Sequence, residues 1–453
     1  MNIPSHVNTL LFALRERGFA AHPVGGCVRD SLMGRAPADW DVCTAARPEQ
    51  VEEIFQNYRL IETGLRHGTV TVLSEGHPVE ITTFRTDGTY HDSRHPDAVT
   101  FVRDLEADLA RRDFTVNAMA FGAKGEVIDL YGGRTDLERG LIRCVGDPDE
   151  RFGEDALRIL RALRFASRLD FEIETATAQS AVKNRALLRN IARERVFSEL
   201  KGILIGPGAG RVLRQYAPVI FEILPELEPQ AGFDQKNPNH IHDIWTHTTM
   251  AVQAIAPDPV LRLAMLLHDV GKPATFFTDE AGVGHFYGHD RVGAEMADGI
   301  LRCLKCDNAT REAVCLLVRY HNTEPPRTEK AMRRLLAKVG EPVVRQLIQC
   351  GRADCADRAE EVQVRNFAAI DLAEGLLEKV LAGPERCFDM KSLAVSGRDI
   401  MALGVKEGPA VGAVLKTLFD LVVDGALPND REALMAKAEA LLSGDCAFQN
   451  EGL

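Results

Sequence analysis

Two acidic residues, Asp39 and Asp41, are separated by one residue and follow a glycine pair, Gly25 and Gly26, and an arginine, Arg29. Side chains two positions apart on a strand share a face, so both carboxylates are predicted to point the same way. The glycines let backbone amides approach an anion, and the guanidinium adds charge-assisted hydrogen bonds. Paired carboxylates beside a triphosphate form a site for hard divalent cations, above all Mg²⁺. On its own, an acidic pair of this kind is more often a solvated strand edge, but the combination predicts metal-dependent chemistry on a nucleotide.

The elements that must position these residues are short. Five β-branched runs bounded by Gly, Pro or Asp predict strands, and two further runs predict helices: AAHPV, DVCTA, TVTVL, PVEITTF and AVTFV, then LLFALRERG and PEQVEEIF. We interpret residues 1–140 as a mixed α/β unit. Glu80 is either a third carboxylate on a neighbouring strand or an ordinary strand-surface residue. The polar segment 85–97 is predicted to be a mobile loop.

From about residue 141 the strand signals stop and helical patterns dominate. Residues 154–169 carry apolar side chains at helical spacing and predict one amphipathic helix. On that helix Asp155 and Arg158 would be surface neighbours. An ionised Asp only accepts hydrogen bonds and Arg only donates them, so the pair matches the base edges of C and A and opposes those of G and U. An intrahelical ion pair on a basic face, continued by Arg161 and Arg164, is the plainer alternative.

Charge and composition limit the class of protein. The 453 residues carry a net charge of −12, yet residues 151–200 hold ten Lys or Arg against seven Asp or Glu. A local positive excess of this kind is what a phosphate backbone needs to dock. The ten cysteines fit a reducing compartment. We find neither a secretory signal nor a run near the roughly 20 apolar residues of a membrane span, so we expect a cytoplasmic protein.

Further motifs follow the first one in a fixed order. They are LARRDFTVNAMAF at 109–121, DLYGGRTDLERGLIRCVGDP at 129–148, FGEDALRILRALRFASRL at 152–169 and ARERVFSELKGIL at 192–204. Together with the first stretch, this series resembles the class II tRNA nucleotidyltransferases and the related bacterial poly(A) polymerases. Both belong to the polymerase-β-like nucleotidyltransferases. The resemblance covers residues 22 to about 205.

The resemblance implies a multidomain fold with an α/β polymerase-β-like nucleotidyltransferase head followed by an all-α neck, an HD body and a helical tail. We expect the head at 1–140, the neck at 141–205, the body at 206–360 and a tRNA-binding tail at 361–453. It also implies roles for single residues. Asp39 and Asp41 would be catalytic and bind Mg²⁺, and the nucleotide would be bound by Gly25, Gly26, Arg29, Arg112, Asp113, Asp155, Arg158, Arg161 and Arg164.

A second set of candidate ligands lies further along the chain, in WTHTT, AMLLHDVGKP, FYGHD, VRYHN and RADCAD. Mixed His and carboxylate ligands suit Mn, Fe, Ni, Zn or Mg. The set resembles the HD superfamily of metal-dependent phosphohydrolases, which implies a second divalent transition metal at His247, His268, Asp269 and Asp354. His289 and His321 are candidates for further ligands or phosphate contacts. The alternative is a degenerate domain that serves only as a scaffold.

These features predict an enzyme that adds CCA, or its terminal A, to tRNA 3′ ends from CTP and ATP and releases pyrophosphate. Within the same family, an A-adding enzyme and a poly(A) polymerase are alternatives. The short stretch before Gly25 and the non-basic end GDCAFQNEGL argue against the latter. From another class, the principal activity would be HD phosphohydrolysis, with the head as an RNA-binding module.

Overall fold

The structure is a computed structural model and describes residues 2–62, 64–65, 68–87, 99–356, 358–383 and 387–444. The chain divides into two compact units. The first comprises Met1–Glu228 with Ile300–Asp307, and the second comprises Pro229–Gly299 with Asn308–Leu453. The domain boundaries expected at 140, 205 and 360 stay predictions. No helix in the described residues is both long and apolar enough to cross a membrane.

The amino-terminal part of the first unit contains a mixed sheet flanked by helices, as its patterns predict. In chain order its elements are α1 Ser5–Glu16, β1 Ala21–Pro23, α2 Gly26–Leu32, β2 Asp41–Thr44, α3 Pro48–Ile54, β3 Arg59–Ile61, β4 Thr69–Ser74, β5 His77–Thr83, β6 Arg85–Asp87, β7 Val99–Phe101, α4 Leu105–Ala110, β8 Met119–Phe121, β9 Val127–Asp129 and α5 Gly133–Arg139. All five predicted strands and both predicted helices are present.

The main sheet has the strand order β1-β2-β5-β4-β3. The pair β2–β5 is parallel and the other neighbours are antiparallel. Burial alternates along β4, where Val70 and Val72 are inaccessible, so one face of the sheet packs on the core. Leu10 and Leu14 of α1 and Phe55 after α3 complete that core. The packed sheet therefore gives a rigid base to Asp41, the first residue of β2.

The polar segment 85–97 is only partly described. Arg85–Asp87 form β6 and pair antiparallel with β7, which corrects the prediction of a loop at these three positions. Residues 88–97 lie outside the described residues, so the loop prediction is not tested there.

The rest of the first unit is helical apart from one short strand pair. Its elements are β10 Leu141–Ile142, α6 Pro148–Glu154, α7 Leu157–Leu169, β11 Glu172–Ile173, α8 Thr175–Lys183, α9 Arg193–Leu204, α10 Ala209–Gln215 and α11 Ala217–Ile223. The parallel pair β10–β11 shows that strand structure continues beyond residue 141, contrary to prediction.

The amphipathic helix predicted over 154–169 is confirmed from Leu157 to Leu169, but its predicted start is wrong. Asp155 separates α6 from α7, with an extended backbone at φ −135° and ψ 102°. Its carboxylate accepts the N–H of Leu157 at 3.0 Å. Asp side chains satisfy the free N–H groups at helix starts, and this local bond competes with continuing the helix. Arg158 lies on α7, whereas Asp155 precedes it.

The second unit is almost entirely helical. Its elements are α12 Ile244–Ala254, α13 Pro259–Leu267, α14 Lys272–Thr275, β12 Phe277–Thr278, β13 Gly284–His285, α15 His289–Cys303 (which runs on into the 300–307 segment), α16 Asn308–Tyr320, α17 Glu329–Val339, α18 Glu341–Asp354, α19 Glu360–Ala382, α20 Gly397–Ala402, α21 Pro409–Val423 and α22 Arg431–Gly444. Met332, Val344 and Leu377 centre one apolar cluster, and Val414, Leu418 and Leu434 centre another.

Gly133 provides a test of the packing beneath the motif region. A Cβ atom there would lie 2.2 Å from the Thr115 carbonyl oxygen and 2.9 Å from Met119 Cγ. We expect Gly133→Ala to lower the free energy of unfolding by about 1–3 kcal/mol, because the Thr115 backbone cannot easily move away from the new Cβ atom. The measurement is the denaturant midpoint of the full chain. Gly153→Ala in α6 is the control, since nothing lies within 4 Å of its added Cβ and alanine favours helix. Equal midpoints for the two variants would contradict the packing argument.

Candidate active site and a second candidate metal site

The glycine turn is built against two strands. Gly25 has φ +79° and ψ −129°, a conformation that favours glycine, and Gly26 begins α2. The Val24 N–H donates to the Asp41 carbonyl at 3.0 Å, and the Gly25 N–H donates to the Met119 carbonyl at 3.1 Å. A Cβ at Gly25 would lie 3.1 Å from Arg112 Nη1. The missing side chain therefore leaves room for a guanidinium predicted to bind the nucleotide.

The acidic pair straddles the start of β2. Asp41 is its first residue, whereas Asp39 lies two positions earlier, so the prediction that both stand on one strand is wrong for Asp39. Trp40 between them is buried and anchors the approach to the strand. Glu80 is the register partner of Asp41 in the parallel pair β2–β5, which places it on the neighbouring strand.

The electrostatics of this edge favour a bound cation. Burial, followed by the negative charge of Glu80 and then that of Asp39, raises the pKa of Asp41 to about 6, although Arg112 acts in the opposite direction. A divalent ion would relieve this repulsion. Among the described residues, the groups of three or more His, Cys, Asp or Glu whose ligand atoms lie within 4.8 Å of one another are in the second unit and not at this edge of the sheet. Two carboxylates completed by phosphate oxygens nevertheless match the way Mg²⁺ is usually held.

A chain of polar contacts joins α2 to α7. Arg29 Nη1 donates to Asn117 Oδ1 at 2.7 Å, and Asn117 Nδ2 donates to Asp113 Oδ1 at 3.3 Å. Arg161 donates to Asp113 Oδ2 through Nε at 2.8 Å and Nη2 at 2.5 Å. Burial alone would raise the pKa of Asp113, but Arg161 outweighs it and, with Arg158 and Asn117, lowers that pKa to about 2. Asp113 is therefore an ionised, buried anchor for Arg161.

Three of the predicted nucleotide-binding arginines surround one aromatic ring. The guanidinium carbons of Arg29, Arg161 and Arg164 lie 5.2, 5.6 and 4.4 Å from the ring centroid of Phe165. Such distances permit cation–π attraction. Arg164 also donates to Glu199 Oε2 at 2.6 Å. The mostly buried ring thus gathers guanidiniums from two helices.

The predicted pair of Asp155 and Arg158 does not form. Arg158 donates to Glu154 Oε2 at 2.5 Å and to the Arg111 carbonyl at 3.1 Å. Asp155 Oδ2 lies 3.4 Å from Arg195 Nη2 instead. The helix break explains the difference, because with an extended backbone at Asp155 the two residues no longer have the i, i+3 spacing of one helix.

Sequence reasoning missed two residues that organise this site. Asn117 is part of the quoted LARRDFTVNAMAF motif, but nothing in the residue pattern marks it as a link between Arg29 and Asp113. Phe165 belongs to the apolar stripe of the helix. That stripe predicts a buried side chain, but it does not predict that three arginines surround the aromatic ring. The signal for both was proximity in space, which spacing along the chain does not carry.

The second set of ligands assembles in the second unit. His247 Nε2 lies 2.9 Å from Asp354 Oδ1 and 3.2 Å from His268 Nε2. Asp269 Oδ2 lies 3.2 Å from His268 Nε2. All four predicted ligands therefore converge, with their ligand atoms within 4.8 Å of one another. His268 Nδ1 bonds the Met265 carbonyl at 2.7 Å, which aims Nε2 at the cluster.

Asp269 also belongs to a second group with His289 and His321. Each of these two rings bonds a backbone carbonyl through Nδ1 at 2.7 Å, and their Nε2 atoms face each other at 3.2 Å. An Nδ1 that donates its proton to a carbonyl leaves a lone pair on Nε2, and we assign this tautomer from the hydrogen bonds. Two facing lone pairs are a site for a cation between them. The His and carboxylate set fits a divalent transition metal.

Two basic residues balance the carboxylates of this cluster. Lys272 Nζ lies 2.7 Å from Asp269 Oδ2, and Arg358 Nη2 lies 2.6 Å from Asp354 Oδ2. Both line a cleft of about 240 Å³ that reaches the ligand groups. With divalent ions bound, the cleft would carry net positive charge and attract anions.

Comparisons with known proteins support one family along most of the chain. A Poly A polymerase head domain model matches residues 21–143, a model of the RNA- and SrmB-binding site of polymerase A matches 170–229, and a model of tRNA nucleotidyltransferase domain 2 matches 290–438. The CCA-adding enzyme of Levilactobacillus brevis is 35% identical over 94% of this chain and 95% of its own length. The CCA-adding enzyme of Streptococcus suis is 33% identical over 98% and 99%.

Solved structures agree with these relatives. The crystal structure of the Bacillus stearothermophilus CCA-adding enzyme in complex with CTP matches with a TM-score of 0.68 and 30% identity, covering 98% of each chain. A Thermotoga maritima CCA-adding enzyme complexed with tRNA shares the fold, at a TM-score of 0.55 and 21% identity over 97% of this chain and 96% of its own. The resemblance and the fold class predicted from the sequence are confirmed. The chain belongs to the CCA-adding enzymes, a family of tRNA nucleotidyltransferases that use divalent metal ions.

Proposed function

We propose that this protein adds CCA, or its terminal A, to tRNA 3′ ends from CTP and ATP and releases pyrophosphate. The observation that carries the proposal is the contact chain Arg29–Asn117–Asp113–Arg161, which ties the glycine turn to the helix that bears the base-reading arginines. One connected site would therefore bind both the triphosphate, at the glycine turn, and the base, at the helix. We infer a cytoplasmic location, because the relatives are bacterial enzymes and their tRNA substrates are cytoplasmic.

Asp39 and Asp41 are proposed to hold Mg²⁺ beside the incoming nucleotide. When bound, the ion supplies positive charge for the triphosphate and the leaving pyrophosphate. Gly25 and Gly26 let the backbone approach the phosphates, and Arg29 and Arg112 bind them. The residues assigned to the base and ribose are Asp113, Asp155, Arg158, Arg161 and Arg164.

The proposed domain roles follow the same assignment. Residues 1–140 form the catalytic head, 141–205 the base-recognising neck, 206–360 the HD body and 361–453 the tRNA-binding tail. Because Asp155 and Arg158 have separate partners, base choice on this view depends on where each group donates or accepts in the cleft and not on their mutual pairing.

Product analysis on tRNA that lacks CCA tests the reaction. With each nucleotide supplied separately, we expect C and A to be incorporated and G and U to be rejected. Asp41→Asn should reduce incorporation about 100-fold or more, because it removes a charged ligand of the Mg²⁺ that would stabilise the triphosphate and the leaving pyrophosphate. Glu49→Gln in α3 is a control that removes an exposed carboxylate of the head.

The number of added nucleotides then distinguishes the alternatives. Three additions support CCA synthesis, one supports A addition and many support a poly(A) polymerase. Incorporation of G or U at rates similar to C and A would refute the base-edge argument.

Asn117→Ala tests the link between the two halves of the site. The variant removes one partner of Arg29, which keeps its ion pair with Asp30, and one donor to Asp113. We therefore expect the KM for CTP and ATP to rise by about 5- to 20-fold, as for one or two lost hydrogen bonds. Steady-state kinetics of the first addition measure it. Asn184→Ala is the matched control, since Asn184 also bonds a carboxylate, that of Asp149, but on an exposed surface. An unchanged KM would mean that the contact chain does not position the nucleotide.

A second function is favoured by the two ligand groups that share Asp269. We propose that the second unit is a metal-dependent phosphohydrolase with a divalent transition metal at His247, His268, Asp269 and Asp354. His289 and His321 would complete a second position. A bound metal would supply a Lewis acid and lower the pKa of water. The chain's own contribution is to aim the histidine Nε2 atoms and to line the cleft with Lys272 and Arg358.

Phosphate release separates this activity from the head. Hydrolysis of p-nitrophenyl phosphate by the full chain with Mn²⁺ should survive Asp39→Ala and fall below detection in His268→Ala and Asp269→Ala, because the ligands are lost. Metal content per chain should fall in the same two variants. His242→Ala, which removes an exposed histidine of the second unit that is outside both ligand groups, is the control. Metal binding without any hydrolysis in the wild type would indicate a scaffolding role.

A further inference from the structure

Three aromatic rings cluster at the β12–β13 hairpin, and this cluster is called the aromatic stack. The His285 ring stacks with Phe277 and with Tyr287, at centroid distances of 5.4 and 5.5 Å and interplanar angles of 29° and 17°, whereas Phe277 and Tyr287 are 5.5 Å apart and tilted by 45°. His285 is half-buried. Phe277 is 44% exposed and Tyr287 is 75% exposed. Large apolar rings grouped in water are costly, and such patches mark binding sites.

The stack has a rigid support. The carboxylate of Asp279 accepts the Ala281 and Val283 N–H groups at 3.0 and 2.9 Å and lies 2.8 Å from His285 Nε2. Gly284 is pressed against the Gln235 carbonyl, which a Cβ would approach to 2.1 Å. The alternate residues point inward, where Phe276 and Phe286 pack at 5.4 Å. The outward rings are therefore held in place before any ligand arrives.

The stack stands beside the second candidate metal site. His285 and Tyr287 line the same cleft of about 240 Å³ as Asp269, Lys272 and Arg358. Its volume is below the roughly 300–1,000 Å³ of pockets that enclose a whole small molecule. A ligand anchored there would extend out of the cleft towards the aromatic stack.

We propose that Phe277, His285 and Tyr287 are a stacking platform for the base of a nucleoside monophosphate whose phosphate lies in the cleft. The inference rests on the proposed phosphohydrolase function and specifies its substrate. The phosphate is drawn by Lys272, Arg358 and the metal ions, and the base covers the exposed rings. Every base has a π face, so the platform accepts purines and pyrimidines alike.

A guanosine monophosphate phosphonate analogue is the probe, because it cannot be hydrolysed and G opposes the proposed base edge of the head. Titration calorimetry with the full chain and Mn²⁺ should show Tyr287→Ala weakening its binding by roughly 5- to 100-fold, the range of one lost stacking contact. Methylphosphonate, which has no base, should bind the wild type and Tyr287→Ala equally. Tyr287→Phe should retain the affinity.

Control variants exclude other causes. Phe12→Ala removes an exposed aromatic side chain from α1 in the first unit and should change nothing. Ala369→Trp fills a second cavity of about 450 Å³ that also reaches Asp354 and is lined by Met332 and Ile370. This variant should also leave binding unchanged.

The outcomes separate the two proposals. If Ala369→Trp weakens nucleotide binding and Tyr287→Ala does not, the base lies in the apolar cavity and the platform is refuted. If the nucleotide and methylphosphonate bind the wild type equally, no base is recognised and the platform is refuted, while the phosphohydrolase function stands. If the wild type binds no Mn²⁺, the phosphohydrolase function fails and the platform fails with it.

Discussion

The ion pair between the buried Asp113 and the half-buried Arg161 is the contact on which the candidate active site depends. A buried carboxylate costs several kcal/mol unless it is paired or hydrogen-bonded. Asp113 meets this condition by accepting two hydrogen bonds from Arg161, one from Asn117 and one from its neighbour Phe114. The segment before β8 and the helix α7 are thus joined through the Asp113 carboxylate, which is costly to bury without a partner.

Arginines elsewhere in this site are arranged by the same logic. Asp108 is fully buried and holds both Arg111 and Arg112, at 2.7 and 3.2 Å, and Arg112 in turn lies against the glycine turn. Phe165 gathers three guanidiniums that would otherwise repel one another. On the proposed assignment, this concentrates positive charge where a triphosphate would bind, and the buried acid and the aromatic ring fix the positions of the guanidiniums.

Both candidate metal sites contain groups that repel one another unless a cation is present. In the head, the parallel register of β2 and β5 sets Asp41 beside Glu80 and raises its pKa. In the second unit, carbonyl contacts at Nδ1 aim the lone pairs of His289 and His321 at each other. The donor atoms of the two sites differ. Oxygen alone in the head suits Mg²⁺, whereas the mixed nitrogen and oxygen donors of the second unit suit a transition metal.

The sequence by itself determined the family, the mixed sheet, the helical remainder and the identity of the candidate ligands, because residue type and spacing carry local chemistry. It placed Asp39 and Asp41 on one strand, which is right for Asp41 only, and it found all four members of the HD group. It could not find that Asp155 ends a helix, since a side-chain bond to Leu157 decides between two locally allowed backbones. Nor could it find the Arg161–Asp113 pair, 48 positions apart, or the arginines around Phe165. Those contacts depend on how the elements pack, and only the tertiary structure brings together groups that the chain keeps far apart.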